Sequence, residues 1–187
     1  MGRWEPNARG RLEQAALELY GEHGFDETTV KEIAQRAGLT ERTFFRHFTD
    51  KREVLFASNP LQEALVAALD AAPDTVSPID ATAAALQAAA RLLQERRELA
   101  RRRQAIIDAH PELQERELIK LTSLASALTD ALRRRGVAVS AASLAAETGI
   151  AVFKVAFARW LGESDQQDFP QLVQDTLDEL KAMTAGT

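Results

Sequence analysis

Leu12, Ala15, Ala16, Leu19 and Tyr20 fall at steps of three and four along the chain, and similar spacings recur in the later segments. That period lays apolar side chains along one stripe of an α-helix, whereas a half-buried strand needs alternation by two. β-Branched alternation is absent, and glycine and proline, at nine and six of 187 residues, are too sparse to punctuate many short strands. The pattern predicts an all-α protein of about nine helices.

Caps and breakers place those helices. The first is expected over about Ala8–His23, closed by Gly24, with Phe25 folding back into the core. Thr28 or Thr29 caps the second, and Glu32, three residues after Thr29, completes a capping box. It carries Val30, Ile33, Ala34 and Ala37 inward and stops at Gly38. Thr40 opens a short third helix to about Phe48. Thr49 and Asp50 are expected to cap a fourth that starts at Lys51 and runs to Ala72, kinked or split near Asn59 by Pro60. Residues 73–78, PDTVSP, read as a linker. Further helices are expected at about 79–94, 95–109, 111–135, 140–162 and 166–184, with Pro111 at a first position and Gly136 and Gly162 as stops.

Composition removes several classes of function. Apolar residues at 45% and charged residues at 27% are ordinary for a soluble globular chain. Without cysteine there is no disulfide framework, thiolate zinc site or cysteine nucleophile. Three scattered histidines, no glycine-rich phosphate loop and no G-x-S-x-G elbow assemble no known reaction, and Asp74 and Asp80 sit in or beside the linker. No enzymatic activity, metal or cofactor is expected. The start, MGRWEPNARGRLEQ, lacks a signal-like apolar run, and the alanine-rich IDATAAALQAAARLL is short and carries Asp80, Gln87 and Arg91. No membrane partner is expected, and the chain reads as cytoplasmic.

The net charge of −5 argues against wholesale non-specific nucleic-acid binding, and residues 1–57 hold nine Lys/Arg against ten Asp/Glu. Any basic function must therefore come from placement. AGLTERTFFRHFTDK, residues 37–51, packs three of the eight phenylalanines among Arg42, Arg46, His47 and Lys51. Phe44 and Phe48, four apart, share a helix face and should enter the core. Arg42, Thr43 and Arg46 lie on or near the opposite face, where an arginine fork can bond the O6 and N7 edge of guanine. Small Ala34 four residues before the turn glycine Gly38 lets two helices approach as a helix-turn-helix.

The run RGRLEQAALELYGEHGFDETTVKEIAQRAGLTERTFFRHFTDKREVLF resembles the DNA-binding domain of the TetR family of transcriptional regulators over nearly all of residues 9–56. A preceding helix, a Gly-Phe corner, the T-V-x-x-I-A-x-x-A-G-L turn, an aromatic third helix and an F-x-x-K exit carry the likeness together. It implies an N-terminal DNA-binding domain over residues 1–56, linked onward by a helix from about 51, and a ligand-binding and dimerisation domain over 57–187. By this resemblance Arg42, Thr43 and Arg46 face bases and His47 faces a phosphate. Phe45 stands where relatives often have a tyrosine whose hydroxyl bonds a phosphate, so only a thymine methyl or sugar contact is left to it. Lys51, which opposes the dipole of the helix expected there, is read as a phosphate contact. Thr28 or Thr29 and the N–H groups opening the second helix form a further phosphate seat, with Thr40 at the opening of the third. Arg3, Arg9 and Arg11 form an arm along the DNA backbone.

One such helix reads few base pairs, so a homodimer on palindromic double-stranded DNA is expected. The helix at 140–162 is apolar on two faces, Ile150, Phe153, Phe157 and Trp160 on one and Leu144, Thr148, Ala151 and Val155 on the other, where a monomer needs one. The resemblance implies pairing of the last two helices through Leu144, Thr148, Ala151, Val155, Phe169, Leu172, Val173, Thr176, Leu177 and Leu180, with small Ala145, Gly149, Ala151 and Ala156 permitting close approach. Burial of both helices inside one bundle is the alternative.

The family's logic also implies a small-molecule effector cavity, for which His110, Phe153, Phe157 and Trp160 are candidates. The arginine-rich RLLQERRELARRR, residues 91–103, reads as a solvated face with Glu95 and Glu98 pairing locally, or else as a pocket mouth for an anion. HPELQERELIKLTSLASALTDALRRRGV resembles the C-terminal domain of regulators related to the mycofactocin-system regulator, which implies an acyl-CoA-like ligand. The expected function is a ligand-released repressor; the alternative is a ligand-independent helix-turn-helix or protein-interaction module.

Overall fold

The structure is a computed structural model, and it describes residues 7–56, 59–162 and 168–185. Among these residues there are nine α-helices, one 3-10 turn and no strand: α1 Ala8–His23, α2 Val30–Arg36, α3 Glu41–His47, the 3-10 turn Glu53–Leu55, α4 Asn59–Asp70, α5 Pro78–Gln94, α6 Arg97–Asp108, α7 Pro111–Arg134, α8 Val139–Gly162 and α9 Phe169–Thr184. The all-α expectation holds. The expected start of the last helix near 166 lies outside the described residues.

Local chemistry explains most boundaries. Asn7, with φ 67°, caps α1 by accepting from the Gly10 N–H at 3.2 Å. Thr29 and Glu32 form the capping box of α2, and Thr40 caps α3. Ser77 caps α5, whose first residue is Pro78.

One boundary differs from expectation. No helix starts at Lys51: the chain makes a turn, then the single 3-10 turn, and α4 begins at Asn59. In a continuous helix Pro60 would lack an N–H and collide with the carbonyl four residues back, so it belongs in a first turn. The Asp50 carboxylate, accepting the Glu53 N–H at 2.8 Å, caps only that short turn.

Two compact units result, one of residues 7–56 with 101–117 and the other of 59–100, 118–162 and 168–185. The division runs through α6 and α7. The core of the first unit joins Leu12, Leu19, Tyr20, Phe25, Ile33, Phe44 and Phe48 with Ile107 and Leu113. Phe44 and Phe48 lie 5.4 Å apart, and with both rings buried they set α3 against α1 and α2.

In the second unit α5 packs against α4, α8 and α9. Small residues allow the approach of α8 to α5: a Cβ built on Gly149 would stand 2.4 Å from Cγ2 of Thr82. Gly149→Leu should therefore destabilise the protein by about 1–3 kcal/mol, because overpacking pushes α5 and α8 apart; thermal unfolding measures it. Gly149, Ala145 and Ala156 thus serve contacts inside this chain, and only Ala151 of the four small residues is exposed.

The expected dimer face is likewise corrected in part. Phe169, Leu172, Val173, Thr176 and Leu177 of α9 are buried in their own chain's core, and Leu180 is half-buried against it. An amphipathic helix fills its own bundle first, and α9 uses its whole stripe doing so. On α8 the division falls between the two faces read from the sequence. Ile150, Phe153 and Trp160 are buried, while Leu144 is 70% and Val155 51% exposed, with Ala151 exposed and Thr148 half-buried beside them. Among the described residues α8 alone is long and apolar enough to cross a membrane, although Glu147 and Lys154 interrupt it and its other face lies in the core.

Candidate nucleic-acid interface

The turn between α2 and α3 is Gly38–Leu39–Thr40, with Gly38 at φ 66° in the left-handed region that a β-carbon disfavours. Thr40 then caps α3 by accepting the Thr43 N–H at 3.2 Å, and the two threonine hydroxyls lie 3.1 Å apart. Phe44 points into the core from this short helix. Its outward residues follow from the helical period: Arg42, Phe45 and Arg46 are exposed, and Thr43 and His47 are half-buried.

Arg42 and Arg46 have no hydrogen-bond or ion-pair partner among the described residues. By contrast, Arg36 on the neighbouring α2 is paired with Glu22 at 2.7 Å and Glu18 at 3.5 Å. Phe45 is 55% exposed between the two arginines, with its ring edge-on to Phe44 at 5.5 Å. Two unneutralised guanidinium forks beside an exposed ring supply the donors and the apolar edge that base edges in the major groove accept.

His47 differs from a free cation. Its Nε2 is buried without a hydrogen-bond partner, and burial, with Arg46 and Arg9 nearby, holds it below the ordinary histidine range. That environment favours the neutral ring.

Other residues expected at phosphates have partners of their own. Lys51 is the clearest correction. Its ammonium donates to the carbonyls of Phe25, Asp26 and Thr28 at 2.8, 2.9 and 3.0 Å, and lies 4.6 Å from the Phe25 ring centre. An ammonium has three donors, so all are occupied. The Tyr20 hydroxyl in turn donates to the Lys51 carbonyl at 2.6 Å, and burial raises the tyrosine well above its ordinary range. Lys51 ties the residues after α3 to the corner between α1 and α2. Lys51→Met should lower stability by about 1.5–3 kcal/mol, the worth of hydrogen bonds to a charged group, seen in thermal unfolding.

Thr29 is occupied too: its hydroxyl donates to Glu32 Oε2 at 2.7 Å, and the same oxygen accepts the Thr29 N–H at 2.8 Å. Those bonds hold Glu32 below the usual carboxylate range, so an anion already covers the start of α2. Arg9 pairs with Glu13 at 3.1 Å and stands 5.7 Å from the Phe48 ring centre, and Arg11 donates to the Ala37 carbonyl. Neither is an extended arm. Arg3 lies outside the described residues.

The effector candidates fall in two places. His110 belongs to the first unit, where its ring meets Phe25 at 5.1 Å and Nδ1 lies 2.8 Å from the Ile106 carbonyl. The other three candidates lie in the second unit. Phe153, Phe157 and Trp160 pack on one another and on Phe169, with Trp160 stacked on Phe169 at 4.6 Å and fully buried. Trp160 Nε1 is buried there without a hydrogen-bond partner, as is Thr176 Oγ1 on α9. Sequence spacing gave the rings but could not give these two unsatisfied atoms, which depend on how α8 and α9 meet.

A glycine turn followed by a short helix with a core-anchored inner face and a bare basic-aromatic outer face defines a helix-turn-helix DNA-binding protein. Residues 13–57 match the family of bacterial regulatory proteins, tetR family, and residues 76–185 match the MftR C-terminal domain. The chain belongs to the TetR family of transcriptional regulators. It is 41% identical over 81 residues to the HTH-type transcriptional regulator TcmR of Streptomyces glaucescens, covering 43% of this chain and 36% of that protein. It is 33% identical over 54 residues to MftR of Mycobacterium tuberculosis, covering 29% of this chain and 27% of that one. The matched segments thus span between about a quarter and just over a third of these relatives' lengths. In fold it is similar to the transcriptional regulator FadR of Bacillus subtilis, solved in complex with stearoyl-CoA, at a TM-score of 0.64 and 19% identity over 91% of this chain and 96% of that one.

Proposed function

We propose that this chain is a transcriptional repressor that binds a palindromic operator as a homodimer and is released by a small molecule held in its C-terminal half. The observation that carries the DNA-reading role is the outer face of α3, where Arg42 and Arg46 are exposed without partners on either side of Phe45. The two forks read guanines in the major groove, and Phe45 contacts a thymine methyl or the sugar edge. Thr43, half-buried, lies beside them, and Thr40 sets the start of the helix.

The dimer forms through α8. Leu144, Ala151 and Val155 leave an apolar stripe uncovered along one helix, and a second copy meeting it covers both stripes by symmetry. The double variant Leu144→Glu/Val155→Lys should be monomeric in sedimentation at concentrations where the parent is dimeric, with its helical content retained. Operator affinity then falls steeply, since each half-site is held alone.

The effector is of the acyl-CoA type. Support comes from the similarity in fold to FadR of Bacillus subtilis, solved in complex with stearoyl-CoA, and from the buried, unsatisfied Trp160 Nε1, a polar handle beside aromatic rings. Selection of bound duplexes from a random pool tests the whole reading. It should enrich two inverted half-sites about 34–36 Å apart, one helical turn. No enrichment at low salt by folded protein would reject it.

A further inference from the structure

We propose that Arg11 is a positioning residue for DNA reading: it holds the turn between α2 and α3 and so sets the direction of the recognition helix. The proposal rests on the DNA-reading role given above. At the end of α2 the carbonyls of Ile33, Ala34 and Gln35 accept the N–H groups of Ala37, Leu39 and Gly38 at 3.0, 2.8 and 2.9 Å. The Ala37 carbonyl instead receives Nη2 of Arg11, from 26 residues earlier in the chain. The guanidinium also lies against Gly38, where an added Cβ would stand 2.7 Å from Nη2.

This geometry has a consequence for α3. Only Gly38, Leu39 and Thr40 separate the capped end of α2 from Glu41, the first residue of α3. A cation at a helix C-terminus is favoured by the dipole, and a donor fixed to α1 limits how the peptide planes of the turn can rotate. The α1 end is itself fixed, because Leu12, Ala15 and Ala16 beside Arg11 are buried in the core. The Arg11 side chain thus couples a helix anchored in the core to the three residues that aim Arg42 and Arg46. An arginine on a phosphate would act equally on all sequences. An arginine holding the turn acts on the preference between sequences.

The test measures fluorescence anisotropy on the selected operator and on a scrambled duplex of equal length, across a salt series, with Arg11→Met and Arg11→Lys. Arg11→Met should lose about tenfold or more in operator affinity, the worth of one charge-assisted hydrogen bond. Its affinity for the scrambled duplex and its log-log salt slope should stay those of the parent. Amide hydrogen exchange at Gly38, Leu39 and α3 should quicken, and Arg11→Lys should restore part of both. Equal loss on both duplexes, with the slope reduced by about 0.9, would make Arg11 a phosphate contact and overturn the proposal. Unchanged preference, or unchanged exchange at the turn, would overturn it as well. A parent protein that does not distinguish the duplexes removes the DNA-reading role itself and with it the specificity role of Arg11, while the exchange data still report separately whether Arg11 holds the turn.

Discussion

Replacing Arg42 and Arg46 together by alanine should abolish sequence-specific DNA binding and leave the helical fold standing. Both side chains are exposed and make no contact that stabilises the chain, so the change in stability stays within about 0.5 kcal/mol. On DNA each bidentate arginine–guanine pair discriminates by about 1–3 kcal/mol. For two arginines in each subunit's recognition helix that amounts, per half-site, to roughly a thirtyfold to ten-thousandfold loss. Binding to a scrambled duplex should fall much less, because the bidentate bonds are lost only where guanines stand in register with the two forks. Circular dichroism and operator titration read the two halves of this result. Operator affinity within a factor of about two of the parent would remove α3 from the reading of bases.

The second large effect is on stability. Trp160→Ala should cost about 3–5 kcal/mol, the range for deleting a fully buried aromatic. Trp160 is fully buried and stacked on Phe169, itself fully buried. At about 2–4 °C per kcal/mol for a chain of this size, unfolding should begin at a temperature lower by roughly 6–20 °C. Trp160→Phe should cost much less, because it keeps the stacked ring and removes an N–H that has no acceptor. A loss under about 1 kcal/mol for the alanine variant would mean that Trp160 lines an open space instead of filling the core. The two variants therefore separate the packing role of the tryptophan from its role toward an effector.

What was legible in the sequence was local. The capping box of Thr29 and Glu32, the glycine turn and the division of α3 into Phe44 and Phe48 inside and Arg42 and Arg46 outside depend on neighbours three or four residues apart, and the structure places them so. Two of the misread cations have partners distant in sequence, whereas Thr29 and Arg9 are taken up by Glu32 and Glu13, three and four residues on. Lys51 meets carbonyls 23 to 26 residues away, and Arg11 meets one 26 residues away. A cation in a helix-turn-helix sequence looks the same whether a phosphate or a backbone carbonyl receives it. Apolar stripes carry a similar ambiguity. The stripe of α9 and the outer stripe of α8 read alike, yet α9 is covered by α5 and α8 while Leu144 and Val155 stay exposed. Periodicity says that a face will be covered, and tertiary packing decides by which helix.

If the outer face of α3 reads guanines in the major groove, methylation interference on the selected operator will show it. Methylation at N7 blocks the edge that an arginine fork bonds. Interference should fall on guanines in both half-sites, about one helical turn apart, and those guanines should lose their importance in the residual binding of the Arg42→Ala/Arg46→Ala variant. Full binding to a duplex methylated at every N7 in the half-sites would contradict the account.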